Sequence, residues 1–142
     1  SVWPEIKELG LLREMGVGSV AFETYWSRVF DKYYAGKIDT WDYPWLFSSW
    51  IQHGLVILPS VNLVSNVGFG EDATHTRKAN ARFERPAQKI EIPLNHPPYI
   101  LRNLWADDYT DRHIYQIYDW YNSINNKKKS VLHRLSQKLL GS

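Results

Sequence analysis

The sequence contains no cysteine, which removes disulfides, thiolate nucleophiles and sulfur-built zinc sites from consideration. Long apolar runs are missing as well: the longest, Leu55 to Leu58, is far too short to cross a bilayer. Charge of one sign is scarce, because 17 Lys+Arg stand against 15 Asp+Glu for a net of +2, and so small an excess argues against a nucleic-acid partner. Neither a signal peptide nor a transit segment is visible, and a cytoplasmic location, at most against the inner face of a membrane, is expected. Aromatic surface is what the chain has in excess. Eleven of its 21 Phe, Trp and Tyr residues fall between Phe22 and Trp50. Such rings pack cores, and they also stack on the apolar C–H faces of sugars.

Periodicity places most of the chain in helices. Pro4 fits the first turn of a helix that runs to about Met15, with a break at Gly10. Phe22, Tyr25, Trp26, Val29, Phe30 and Tyr33 recur at steps of three and four, one apolar helix face, with Gly36 placed to cap it. A third helix is expected from Thr40–Asp42 to His53, stopped by Gly54, with Tyr43, Phe47, Trp50 and Ile51 on its apolar side. Leu55–Leu58 reads as a buried strand, Val61–Ser65 as a second extended stretch, and 89–92 as a short third one. Toward the end, helices are expected over Thr110–Tyr121 and about Lys128–Leu140, separated at Asn125-Asn126. Asp107-Asp108 is placed to cap the first of these.

Two stretches could carry chemistry. In Asp39-Thr40-Trp41-Asp42-Tyr43-Pro44-Trp45, either aspartate suits a helix N-terminus, where free N–H groups and the helix dipole favour a carboxylate. The functional alternative makes Asp42 a general base that takes the proton of an attacking hydroxyl, its pKa raised by flanking tryptophans. The second stretch runs from Asn62 through Ser65, Asn66 and Gly68 to Asp72 and His75. Its glycines permit close approach of a phosphate, and Asp72 with His75 offers oxygen and nitrogen ligands to a divalent cation.

The strings IDTWDYPW, GLVILPSVNLVSNVGFGEDATHT and IPLNHPP, following an aromatic helix, resemble the hemolytic-protein-like nucleotide-diphospho-sugar transferases, a group within the GT-A glycosyltransferases. The resemblance covers roughly Trp3 to Asp108. It implies an α+β fragment of an α/β GT-A fold, mostly helical with a small two- or three-stranded sheet. On it, residues 1–108 form the C-terminal, acceptor- and metal-side part of a transferase domain, and 109–142 a helical extension. The activity implied is inverting, metal-dependent transfer of a sugar from a nucleotide-diphosphate donor to a hydroxyl acceptor on a glycan or glycolipid. Thr40-Trp41-Asp42 looks like the Thr-Glu-Asp turn whose aspartate is the catalytic base, with Trp41 in place of the glutamate. Asp42 is then the base, Asp39 its substitute, and Trp41 and Trp45 line the acceptor site. Asn62, Ser65, Asn66 and Gly68 shape the donor pocket, while His75 and Asp72 hold Mn or Mg against the diphosphate. The nucleotide-binding half and its acidic D-x-D-like motif are not among these 142 residues. The chain is therefore expected to be part of a longer polypeptide and inactive by itself.

A second class of function also fits. Exposed tryptophans without a nucleotide-binding half suit a non-catalytic carbohydrate-binding or interaction module. At the C-terminus, Lys127, Lys128, Lys129, Arg134 and Lys138 interleave with Val131, Leu132, Leu135 and Leu139 in a basic amphipathic helix. The expected role of that helix is to pack on the core. Peripheral contact of 127–140 with an anionic membrane surface is the alternative.

Overall fold

The computed structural model describes residues 2–65 and 86–140, the side chains of 138–140 excepted. By internal contacts the chain divides into two units, one made of 1–54 with 102–142 and the other of 55–101. Helices occupy the first: α1 (Trp3–Glu8), α2 (Leu11–Met15), α3 (Val20–Tyr34), α4 (Asp42–Ile51), α5 (Leu104–Tyr109), a π-helical turn (Thr110–Ile114) and α6 (Ile117–Leu140).

Local chemistry accounts for the helix ends. Pro4 sits in the first turn of α1, and Gly10 leaves it with a left-handed φ of 68° before α2 begins. Ser19 caps α3, its hydroxyl accepting the Phe22 N–H at 3.1 Å. The ends of α2, α3 and α4 share one geometry. The left-handed residue donates its N–H to the second-last helical carbonyl, and its successor reaches one carbonyl further back. Gly36 holds the left-handed position after α3, but Val17 (φ 53°) and His53 (φ 52°) hold it after α2 and α4. Gly54, the expected stop of α4, lies one place beyond and donates to Ser49 O at 2.8 Å.

The core is aromatic and centred on α3. Trp26 is fully buried, with Phe22, Phe30, Ala21, Trp3, Leu12 and Ile117 around it. Rings close on Trp26 from several elements: Trp50 at 5.0 Å from α4, Tyr115 at 4.9 Å, and Phe30 stacked at 5.5 Å on α3 itself. Tyr43, Leu46, Phe47 and Trp50 form the inward side of α4. Leu46 replaces the Ile51 expected from the spacing. Polar clamps tie α1 and α2 to α3: Lys7 Nζ to Asp31 at 2.8 Å, Trp3 Nε1 to Asp31 at 3.1 Å and Arg13 to Glu23 at 2.7 Å.

The expected sheet is corrected: among the described residues there is no strand, so the α+β fragment of a GT-A fold gives way to a helical structure. In the second unit Leu55–Leu58 is exposed rather than buried, Ile57 to 88%. A strand exists through its ladder, and there the described backbone makes one cross-chain bond, Gln88 N–H to Asn62 O at 2.6 Å. An apolar run of four residues is no strand without a partner. Neither 61–65 nor 89–92 is a strand in the described residues.

The C-terminal helices also differ from expectation. Asp107 and Asp108, expected to cap a helix beginning at Thr110, lie inside α5, whose cap is Asn103, its Oδ1 accepting from Trp105 and Ala106. The helix expected over Thr110–Tyr121 is a π-turn closed by Tyr115 N–H to Thr110 O at 3.0 Å, then a break at Gln116 (φ 54°). No break occurs at Asn125-Asn126; α6 runs through both as one helix of 24 residues. Its outer half does not pack on the core, since every residue from 126 to 137 is exposed.

Candidate functional site

The N-terminal turn of α4 is one part of the first unit where aromatic and carboxylate groups meet at the surface; α5, with Trp105 and Tyr109 beside Asp107 and Asp108, is another. Helical geometry creates the α4 surface. Turning Tyr43, Leu46, Phe47 and Trp50 inward leaves Trp41 and Trp45, four residues apart, on another side. Trp41 is 74% exposed and Trp45 55%. Pro44 lies within the first turn, where its missing N–H costs nothing.

In sequence Asp42 follows Trp41 and precedes Trp45 by three residues. Thr40 Oγ1 donates to its Oδ2 at 3.0 Å, and the Asp42 N–H points back to the same hydroxyl at 3.4 Å. Trp41, rather than Asp39 or Thr40, occupies the cap position of α4, and no side chain caps the helix there. Asp39 is exposed. The expectation that tryptophans shield Asp42 from water is not met, because its carboxylate is exposed as well. Ser49, on the same side of α4, donates to Trp45 O at 3.1 Å.

Behind this turn lies a tyrosine cluster that sequence reasoning missed. Burial pushes the Tyr115 hydroxyl above the ordinary tyrosine range, and Tyr25, Asp111, Tyr43 and Asp42 add to it in that order. Tyr25 is raised likewise, by burial and by Tyr43. Asp42 and Asp111 therefore both act electrostatically on Tyr115. The carboxyl held above its ordinary range is Asp111, pushed up to about 6 by burial first, then by Asp107 and Asp108, with Arg102 opposing. Arg102 is anchored by Asp107 at 2.6 Å and by Met15 O at 3.1 Å. The signal available in sequence was the 107, 108, 111 spacing, which stacks acids on one helical side.

Of the other expected residues, Asn62 and Ser65 fall in the second unit and four lie outside the described residues. Asn62 belongs to the second unit, where its amide donates to Val64 O at 2.8 Å and Pro86 O at 3.2 Å, a loop-bracing role. Ser65 is exposed in the same unit. Asn66, Gly68, Asp72 and His75 lie outside the described residues. Among the described residues no cluster of His, Asp and Glu is arranged to hold a metal ion. A shallow groove of about 440 Å³ opens elsewhere in the first unit, lined by Trp3, Pro4, Lys7, Glu8, Asp31 and Tyr34. Of its three charged residues, Lys7 and Asp31 pair with each other.

No protein-family model, curated protein or solved structure matches this chain.

Proposed function

We propose that the first turn of α4 is a carbohydrate-contacting surface, with Trp41 and Trp45 as stacking platforms and Asp42 as the hydrogen-bond acceptor in the same turn. The observation that carries this reading is the exposure of both tryptophans beside an exposed carboxylate. A helix that packs four other large side chains against the core has no packing reason to keep two indoles in water. Indole faces accept the C–H side of a pyranose ring, and a carboxylate accepts sugar hydroxyls through charge-assisted bonds. Thr40 holds that carboxylate in place through the 3.0 Å contact. Side chains four apart on a helix lie about 5–6 Å apart at Cβ, a spacing suited to one saccharide contact area.

Screening the whole chain against immobilised glycans, with chelator present and no nucleotide, tests this reading. Retention of a defined glycan set is expected. Trp41→Ala and Trp45→Ala should each weaken it about tenfold, or ~1.4 kcal/mol. Failure to retain any glycan would contradict it.

Glycosyl transfer is the second reading, supported by the resemblance of the strings around IDTWDYPW and by the Thr40–Asp42 contact. Here Asp42 removes the acceptor's proton, with Trp41 and Trp45 lining the acceptor site. Asn62, Ser65, Asn66 and Gly68 serve the donor, and Asp72 and His75 would hold a Mn or Mg ion that offsets charge on the leaving diphosphate. On this reading the polypeptide also needs a nucleotide-binding half. In such a polypeptide Asp42→Asn should abolish transfer while donor affinity survives; unchanged turnover removes Asp42 from the role of base.

A further inference from the structure

The outer half of α6 carries a surface that the fold leaves uncovered. Ile117 is fully buried, and Tyr118 and Tyr121 pack against the core. The side of the helix that holds Ile117 and Tyr121 continues outward through Val131, Leu132 and Leu135 by steps of three and four. There it packs on none of the described residues: Val131, Leu132 and Leu135 are 54%, 65% and 52% exposed. The exposed stretch 126–137 is about 18 Å long at the rise of an α-helix.

Its charge is of one sign. Lys127, Lys128, Lys129 and Arg134 lie in this stretch, and no aspartate or glutamate follows Asp119 anywhere in the sequence. On the helical wheel Lys127 and Arg134 flank the apolar stripe on one side and Lys129 on the other, while Ser130, His133 and Gln137 lie opposite it. Lys128 falls within the stripe, four residues after Ile124 and three before Val131.

That register distinguishes the possible occupants. Two copies pairing through this stripe would bury Lys128 and set like-charged flanks against each other, which is unfavourable. At a lipid surface the same lysines extend their stems along the apolar stripe and place the ammonium groups among the headgroups. We propose that residues 126–137 of α6 lie flat on an anionic lipid surface, with Val131, Leu132 and Leu135 in the interface and Lys127, Lys128, Lys129 and Arg134 on the headgroups. No helix among the described residues is long and apolar enough to cross a membrane, so the contact is peripheral.

The test is co-sedimentation of the whole chain with vesicles of phosphatidylcholine alone or with about a third phosphatidylserine. Binding is expected to the anionic vesicles, to fall with added salt, and to be weak on neutral ones. Replacing Lys127, Lys128 and Lys129 together with Gln should lower partition roughly a hundredfold, at about fivefold per cation. Leu132→Ser with Leu135→Ser should lower it at least tenfold. All five side chains are exposed, and far-UV circular dichroism checks that helix content survives in each variant. Equal binding to both vesicle types, or none to the anionic ones, overturns the proposal. So does a serine variant that binds like the parent, since that is adsorption of charge without insertion. Concentration-dependent dimers in sedimentation equilibrium that the serine changes abolish would assign the stripe to a second copy instead. Tight capture of polyglutamate by a chain indifferent to anionic vesicles would assign it to an acidic protein.

Discussion

At the scale of single residues, the fold keeps two features that work against its stability. Val17 takes the left-handed position after α2 with φ 53°, where a β-branched side chain is strained. It is 65% exposed, so little packing is lost on replacing it. Val17→Gly should stabilise by ~1 kcal/mol and raise the melting temperature by a few degrees, measured by thermal denaturation. Gly16, one place earlier, has the opposite constraint, since a Cβ there would run into the Phe22 ring. The second feature is Trp26, whose Nε1–H is buried with no hydrogen-bond partner among the described residues. Trp26→Ala should cost ~3–5 kcal/mol by opening a cavity. Trp26→Phe keeps a ring and deletes the orphaned donor, so its cost in denaturant unfolding should stay below about 2 kcal/mol.

Elements show how far sequence reasoning reached. The helices through Ile51 were legible by two signals: Pro4, Gly10 and Gly36 mark ends of the first ones, and the 3.6-residue stripes of α3 and α4 mark their lengths. Leu55–Leu58 was misread because four apolar residues look the same whether they join a ladder or remain exposed. The partner that decides between those outcomes is non-local. Asn125-Asn126 was misread for a different reason. Asparagine costs only about 0.6 kcal/mol in a helix interior relative to alanine, and the stripe on either side carries α6 through it. Nothing local announced the π-turn at Thr110–Ile114 or the left-handed Gln116, and these two together place Tyr115 against Trp26. Of the candidate site, the Trp41–Asp42–Trp45 turn was legible from spacing on α4. The Asp111–Tyr115–Tyr25 cluster was not, because it depends on α3 meeting the π-turn.

That cluster makes a pH prediction. The Asp111 carboxyl is pushed up to about 6 in the folded chain by burial and by Asp107 and Asp108. The folded state therefore holds this proton more tightly than the unfolded state, whose aspartates titrate near ~4. Stability from this group is full below about pH 4, is lost as pH rises from there to about 6, and is flat above. Because the side chain is half-exposed, solvent screening reduces the expected effect to about 1 kcal/mol. Asp111→Asn should flatten this slope and raise stability at pH 7 by about that amount in urea unfolding at a series of pH values. An unchanged slope would place the titrating group elsewhere.

For the molecule as a whole, two of the apolar surfaces that the described residues leave in water combine apolar side chains with charge in a way that suits a ligand. One is the tryptophan pair at the head of α4, and the other is the basic, apolar-striped outer half of α6. Large apolar side chains kept in water are where a protein meets partners. The two surfaces differ in chemistry, with rings and a carboxylate on one and aliphatic groups between cations on the other. They should therefore respond separately: changes at Leu132 and Leu135 should leave glycan retention intact, and changes at Trp41 and Trp45 should leave vesicle binding intact. Loss of both from either set would point to a general loss of structure.

Saturation-transfer NMR on a retained glycan reads the α4 surface most directly. Irradiating the protein's aromatic protons should transfer magnetisation to C–H protons on one face of a pyranose ring, and the Trp41→Ala/Trp45→Ala double variant should lose that transfer while keeping its helical signal. Equal transfer from the parent and the double variant would mean that sugars, if bound, bind elsewhere.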